Sequence, residues 1–375
     1  MFARFVILAA LLPYIQTSPL GSDIQPHFYI ALAGYIAFKI LDDGVMPFSG
    51  SVLFVAIITG GAGIALGAGV NTLALFTFPI AIAFFARQDR GSFLWAIKCA
   101  IIIYLIGLCL EIIVPNTLHN IVSNQRSSFA RGMTSFTSEP SYLGLIALAF
   151  VVALLHFHQS YFWVILSCLL ALASGSLTAI APLVVILVLA NLRQDQIHIV
   201  AITLLGVAVF YFAIIQTDTR MGVLLRDVSR DFDLIWQDQS FSNRIARALA
   251  PIASAWQSGF LPHAFPTPGD IDVNFEFLSA TADTEIERLS SLATVMIYVF
   301  GVTSFPLIAA YILIAKARLF LIAAIAYFAV TNISISTPYL YLLLSLPLMH
   351  RFVTVPAYEL STQNTKGASQ IAGAF

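Results

Sequence analysis

Arg126 and Arg131 precede a run of hydroxyls and one carboxylate, Gly132-Met133-Thr134-Ser135-Phe136-Thr137-Ser138-Glu139-Pro140-Ser141-Tyr142-Leu143-Gly144. Apolar runs long enough to cross a bilayer flank this stretch on both sides. A guanidinium presents a planar, permanently charged fork that suits phosphate or carboxylate. Arg126 and Arg131 are therefore candidate phosphate ligands. Glu139 is a carboxylate at a membrane surface, able to accept a proton or to hold an arginine. Such groups are costly beside lipid and are by default a functional-site hypothesis. Glu139 also has a plainer reading as a helix-start acid. Pro140 fits the first turn of a helix, and an acid favours the positive end of the helix dipole.

The elements that would position these groups follow from composition. The chain has 375 residues, 59% hydrophobic and 10% charged, with a mean hydropathy of +0.90. Soluble domains are nearer half apolar and a quarter charged. The expected fold class is an all-α polytopic integral membrane protein. A span needs about 17–20 apolar residues. The apolar runs are 4–20, 26–41, 50–69, 71–86, 92–114, 140–157, 160–175, 177–192, 197–215, 291–314, 318–335 and 337–351. That predicts about 12 transmembrane helices. Arg4 followed by Phe5 to Leu12 resembles a signal peptide, but no A-x-A-like site follows, so a retained first helix is expected. Residues 160–192 read as two short spans, one long kinked helix or a re-entrant pair, broken at Ala173-Ser174-Gly175-Ser176-Leu177-Thr178. The organisation expected is spans 1–9 over 1–215, a large loop over 216–290, spans 10–12 over 291–351, and a tail over 352–375.

Basic residues orient the spans. With the N-terminus inside, Arg4, Lys39, Arg87, Arg90, Arg193, Lys316, Arg318, Arg351 and Lys366 all fall on the cytoplasmic side, and Lys98 lies nearer to it. Both termini are then cytoplasmic. The loops 115–139 and 216–290 share the opposite face, and their basic residues are all arginine. A net charge of −1 points to no nucleic-acid partner. Cys99, Cys109 and Cys168 sit in apolar runs without metal-ligand spacing and read as small membrane-embedded hydrophobes. No phosphate-binding loop, dinucleotide fingerprint, zinc helix or nucleophile elbow is present, so no cofactor and no metal are expected.

A loop as long as 216–290 should carry helices and function of its own. Charged residues alternate with Val223, Leu224, Leu225, Val228, Phe232, Leu234, Ile235 and Trp236, which predicts an amphipathic helix on the membrane face over Arg220 to Asp238. Ser242 is a candidate cap for a helix that sets Arg244 and Arg247 on one face. That face would hold a pyrophosphate, or else lipid headgroups. Gly259 to Gly269, with three prolines, predicts an irregular segment around His263. The acids that follow, from Asp270 to Glu287, read as a solvated face.

The segment Arg131 to Gly144 resembles the R-x-x-G-x-F-x-E-P-S-x-x-G type of sequence of Wzy-type polysaccharide polymerases, relatives of the O-antigen ligases in the O-antigen polymerase/ligase superfamily. Glu139-Pro140-Ser141 carries the likeness. The front of the pattern departs, because glycine here follows directly after Arg131. Ser174-Gly175-Ser176-Leu177-Thr178 is similar to the S-x-S-x-T break between two helices of these proteins. The layout, about a dozen spans with one large late loop, is also similar.

The resemblance implies a GT-C-like, metal-independent, inverting glycosyltransferase of the bacterial inner membrane. It would move a growing glycan from undecaprenyl diphosphate onto a lipid-linked repeat unit, making O-antigen or exopolysaccharide. A chain-length regulator and a flippase are the implied partners. Arg131 and Arg126, with Arg244 and Arg247, would stabilise the diphosphate leaving group. Glu139 would accept the proton of the attacking hydroxyl, with His263 second. Tyr142, Ser138 and Ser141 would hold sugar hydroxyls. An O-antigen ligase with lipid A-core as acceptor is the alternative within the same chemistry. A transporter or flippase is the alternative from another class, and a non-enzymatic membrane anchor is a third. A transporter needs charge within the spans. The mid-span candidates are Glu111, Lys98 and Asn71, and Glu111 reads as a side chain snorkelling to the nearer surface.

Overall fold

The computed structural model describes residues 1–15, 26–44, 46–69, 71–114, 132–192, 214–267, 291–315, 317–331 and 333–349. It also describes the single positions Leu118, Val122, Gly206, Ala208, Val209, Phe212, Asp270, Ile271, Phe275 and Leu289. Among these residues the chain is all-α, with no strand and one isolated bridge between Ile15 and Val122. The helices are α1 (Phe2–Leu11), α2 (His27–Asp43), α3 (Gly50–Ala65), α4 (Asn71–Ala86), α5 (Arg90–Ile113), α6 (Pro140–His156), α7 (Tyr161–Ala173) and α8 (Leu177–Ala190). They continue with α9 (Arg220–Arg230), α10 (Gln239–Gln257), α11 (Ser304–Ile314), α12 (Leu319–Val330) and α13 (Pro338–Ser345).

Two helices have no polar face. Every residue of α6 from Leu143 to Leu154 is buried, as is all of α13. A helix that is apolar all round belongs in a core. Accordingly, α6 packs against α7 and α8 and touches α5, α12 and α13, while α13 lies against α4 and α1. α3 pairs with α4, α1 with α5 and α2, and α12 with α8. The outer helix faces remain apolar: Phe54 and Ile57 of α3, Ile106 and Ile112 of α5, Phe162 and Ile165 of α7, and Leu313 of α11 are exposed.

Several elements differ from the sequence expectation. The helix over Arg90–Ile113 is the one described helix of at least 18 residues apolar enough to cross a bilayer. The other apolar helices have 10–17 residues. At about 1.5 Å per residue they fall short of a hydrocarbon core of about 30 Å. The first apolar run leaves the helix at Leu12, and its remainder from residue 16 lies outside the described residues. Most of the run 197–215 also lies outside them. Residues 160–192 form two helices that flank α6, separated at Gly175, which takes φ +59°.

The run 291–314 is not one helix. It comprises a short turn at Leu292–Thr294, a π-turn at Val295–Val299, a 3-10 turn at Gly301–Thr303, and α11. The cause is a competing strand of backbone. The His263 N–H donates to the carbonyls of Tyr298 and Val299, and the Val302 N–H donates to the carbonyl of Phe260 at 2.8 Å. Carbonyls and amides used this way are lost to a regular ladder.

Close approach fixes the α6–α8 crossing. A Cβ on Gly144 would sit 2.5 Å from the Ala179 Cβ and 2.8 Å from the Ser174 Oγ. Gly144→Val should therefore cost about 1–3 kcal/mol through overpacking. A lower thermal midpoint of the detergent-solubilised protein would show it; an unchanged midpoint would mean that α6 and α8 do not touch there.

Candidate functional site

Residues 132–139 form a strap that leaves helical structure yet is largely buried: Thr134, Ser135, Thr137 and Ser138 are all core residues. Gly132 takes φ +107°, which favours glycine, and a Cβ there would collide with the Ser174 carbonyl. The Met133 N–H donates to the Ala173 carbonyl at 3.2 Å. The two motifs separated in sequence, here over 132–144 and 173–178, thus meet in space.

On its other side the strap rests on α5. The Glu111 carboxylate accepts the Ser135 N–H at 2.7 Å, the Thr134 N–H at 3.0 Å and the Thr134 hydroxyl at 3.2 Å. The Ser135 hydroxyl donates to the Tyr104 carbonyl at 2.6 Å. The Thr137 hydroxyl is 2.7 Å from the Thr134 carbonyl and 2.9 Å from that of Glu139. The sequence suggests that Glu111 snorkels to the surface; in the structure its carboxylate grips the strap instead.

The strap ends at Glu139, the N-cap position of α6, with Pro140 in the first turn. The Glu139 side chain makes no capping hydrogen bond, so the helix-start role is filled by backbone geometry and proline. Glu139, Ser141, Tyr142 and Leu145 line a small, partly open cleft of about 30 Å³ together with Thr178 of α8, Arg244 of α10 and Thr331 just beyond α12. The starts of α6 and α8 thus meet the end of α12 at this cleft. Arg244 Nη1 donates to the Thr178 hydroxyl at 3.3 Å, and that hydroxyl lies 2.7 Å from the Ser176 Oγ. The Tyr327 hydroxyl donates to the Thr178 carbonyl. Tyr142 stacks on Tyr14, with ring centroids 4.8 Å apart.

Arg244 reaches the cleft because α10 starts where a cap is available. That cap is Asp238, which accepts the Phe241 N–H at 2.8 Å, rather than Ser242. Ser242 lies inside the helix and donates to the Trp236 carbonyl. The expected continuous helix over Arg220 to Asp238 breaks at Asp231, whose extended backbone and capping side chain start a 3-10 turn over Phe232–Gln237.

The other sequence-predicted residues are dispersed. Ser138 is buried in the strap, while Arg247 sits three residues beyond Arg244 on α10; neither lines the cleft. Arg126 and Arg131 lie outside the described residues. His263 lies in the irregular segment as expected, but it stacks on Tyr298 with centroids 4.6 Å apart and does not line the cleft. Nearby, the Thr267 N–H and hydroxyl hold Asp270 below the usual carboxylate range. Among the described residues, no group of three or more His, Cys, Asp or Glu side chains is placed to hold a metal ion. Cys99, Cys109 and Cys168 are free thiols.

No protein-family model, no curated protein and no solved structure matches this chain.

His263→Ala should cost about 0.5–1.5 kcal/mol of stability through the lost stacking. It should leave the chemistry of the cleft near wild type. Inactivity in a stably folded His263→Ala protein would restore His263 to the catalytic set.

Proposed function

We propose that the chain is a membrane glycosyltransferase that polymerises undecaprenyl-diphosphate-linked oligosaccharide units in the bacterial inner membrane, with about 12 spans and both termini cytoplasmic. The observation that carries this reading is the meeting of Glu139, from the first polar stretch, with Arg244, from the second, in one cleft at the helix ends. The apolar outer faces support a lipid environment, since soluble monomers rarely leave such patches uncovered.

In the proposed reaction a sugar hydroxyl of the acceptor unit attacks the anomeric carbon of the donor glycan. Glu139 accepts the hydroxyl proton as the new glycosidic bond forms. The bond from the anomeric carbon to the diphosphate oxygen breaks, and undecaprenyl diphosphate leaves with the electron pair. Arg244 and the positive N-terminal ends of α6 and α8 stabilise the charge that develops on it. Arg126 and Arg131 are further proposed phosphate ligands on sequence grounds. Tyr142, Ser141 and Thr178 present hydroxyls and an aromatic face to sugars. The transporter alternative is weakened, because Glu111, the intramembrane acid it would use, is hydrogen-bonded to the strap.

The test is the surface glycan profile of a deletion strain complemented with wild-type, Glu139→Gln or Arg244→Ala protein. Wild type should restore a ladder. Glu139→Gln should lower polymer formation by about 10²–10⁴-fold with protein still in the membrane. Full-length glycan retained on the lipid carrier in the deletion strain would identify a ligase instead. An unchanged glycan in the deletion strain would end the glycosyltransferase reading.

A further inference from the structure

Tyr104, Gly107 and Glu111 are spaced three and four residues apart and so share one face of α5. All three meet the strap. The Tyr104 carbonyl accepts the Ser135 hydroxyl. Gly107 leaves the volume into which Ser135 and Phe136 fit: a Cβ there would be 2.6 Å from the Phe136 Cδ2. Glu111 holds two successive backbone N–H groups and one hydroxyl. Ser135 is in the left-handed region, with φ +50°, a conformation a non-glycine residue keeps only where its surroundings enforce it. The Ser135 N–H and Oγ are both held by this face.

We propose that Glu111 is a positioning residue: its carboxylate holds the Thr134–Ser135 turn and thereby sets where Glu139 stands at the cleft. Glu139 lies four positions after Ser135, and the Thr137 hydroxyl is within hydrogen-bond distance of the carbonyls of both Thr134 and Glu139, which ties the turn to the cleft residue. The carboxylate is suited to this task because it only accepts, and it offers two oxygens to three donors. An amide at the same place would turn an NH₂ towards those donors. The effect on the proposed transfer rests on the glycosyltransferase reading; the anchoring of the strap does not.

Two readouts on the full-length chain separate these parts. In a background with Cys99, Cys109 and Cys168 replaced by serine, Ser138→Cys places a thiol in the buried strap beside Glu139, and its maleimide labelling rate is measured in nanodiscs. Glu111→Gln should raise that rate by about tenfold or more, since hydrogen bonds to a charged group are among the stronger ones and their loss favours local opening. Gly107→Val should do the same by wedging the strap away, and Glu111→Asp should fall between. Elution profile and membrane level should stay at wild type. In the native-cysteine background, the glycan ladder should fall with Glu111→Gln as it falls with Glu139→Gln.

Unchanged labelling in Glu111→Gln overturns the proposal, and so does faster labelling with a full ladder where Glu139→Gln loses it. If the ladder is indifferent to Glu139→Gln as well, the glycosyltransferase reading has failed, and the labelling rate alone still decides whether Glu111 anchors the strap.

Discussion

A segment that leaves the helix inside an apolar protein must find partners for the backbone and hydroxyl groups it buries. The strap 132–139 finds them on two sides. α5 supplies the Glu111 carboxylate and the Tyr104 carbonyl; the end of α7 supplies the Ala173 carbonyl. Its own Thr137 supplies the rest of the link to Glu139. Remove these partners and buried polar groups are left without hydrogen bonds, each at a cost of about 1–3 kcal/mol. The position of Glu139 is therefore a consequence of hydrogen-bond satisfaction, and the cleft inherits its geometry from a requirement of folding.

The same economy explains why the site lies at helix ends. α6 is buried all round, so its sides offer no place for a carboxylate without a partner. Its N-terminus does. α8 begins beside it because Gly144 lets the two backbones close, and the break at Ser174–Ser176 keeps α7 and α8 as separate helices on either flank. α12 ends at the same level, where the Tyr327 hydroxyl reaches the Thr178 carbonyl. Polar side chains thus gather where these helix ends meet.

Much of this was legible in the residues. Apolar run length placed nearly every described helix, and Pro140 marked the start of α6 to the residue. The polar stretch around Glu139 and the break at Ser174–Ser176 stood out because few polar residues interrupt the apolar runs. What sequence reasoning missed depends on contacts between distant segments. Local pattern could not show that the 260–263 backbone would break the helix at 291–303, since the competing donors are about 35 residues away. Nor could it assign Glu111 a partner, because an acid near a span end looks the same whether it reaches for water or for Ser135. His263 looked chemical for the converse reason: its stacking partner Tyr298 is equally remote.

The hydrogen bond of Arg244 has a consequence for the proposed transfer. Its partner in the cleft is the Thr178 hydroxyl, a neutral acceptor at 3.3 Å, and that hydroxyl is already engaged with Ser176. A guanidinium hydrogen-bonded to a neutral oxygen gains little, whereas a charged oxygen in the same place makes a bond roughly twice as strong. The gain grows with the charge on the incoming oxygen. An arginine held in this way favours a diphosphate over a sugar hydroxyl. It favours the diphosphate most as the glycosidic bond breaks and negative charge reaches its maximum. Interactions that strengthen between ground state and transition state are those that raise the rate of the chemical step. Glu139 ends a buried strap and Arg244 donates to a neutral hydroxyl, so under the proposed transfer the cleft would pair a positioned proton acceptor with a cation whose best partner is the leaving group.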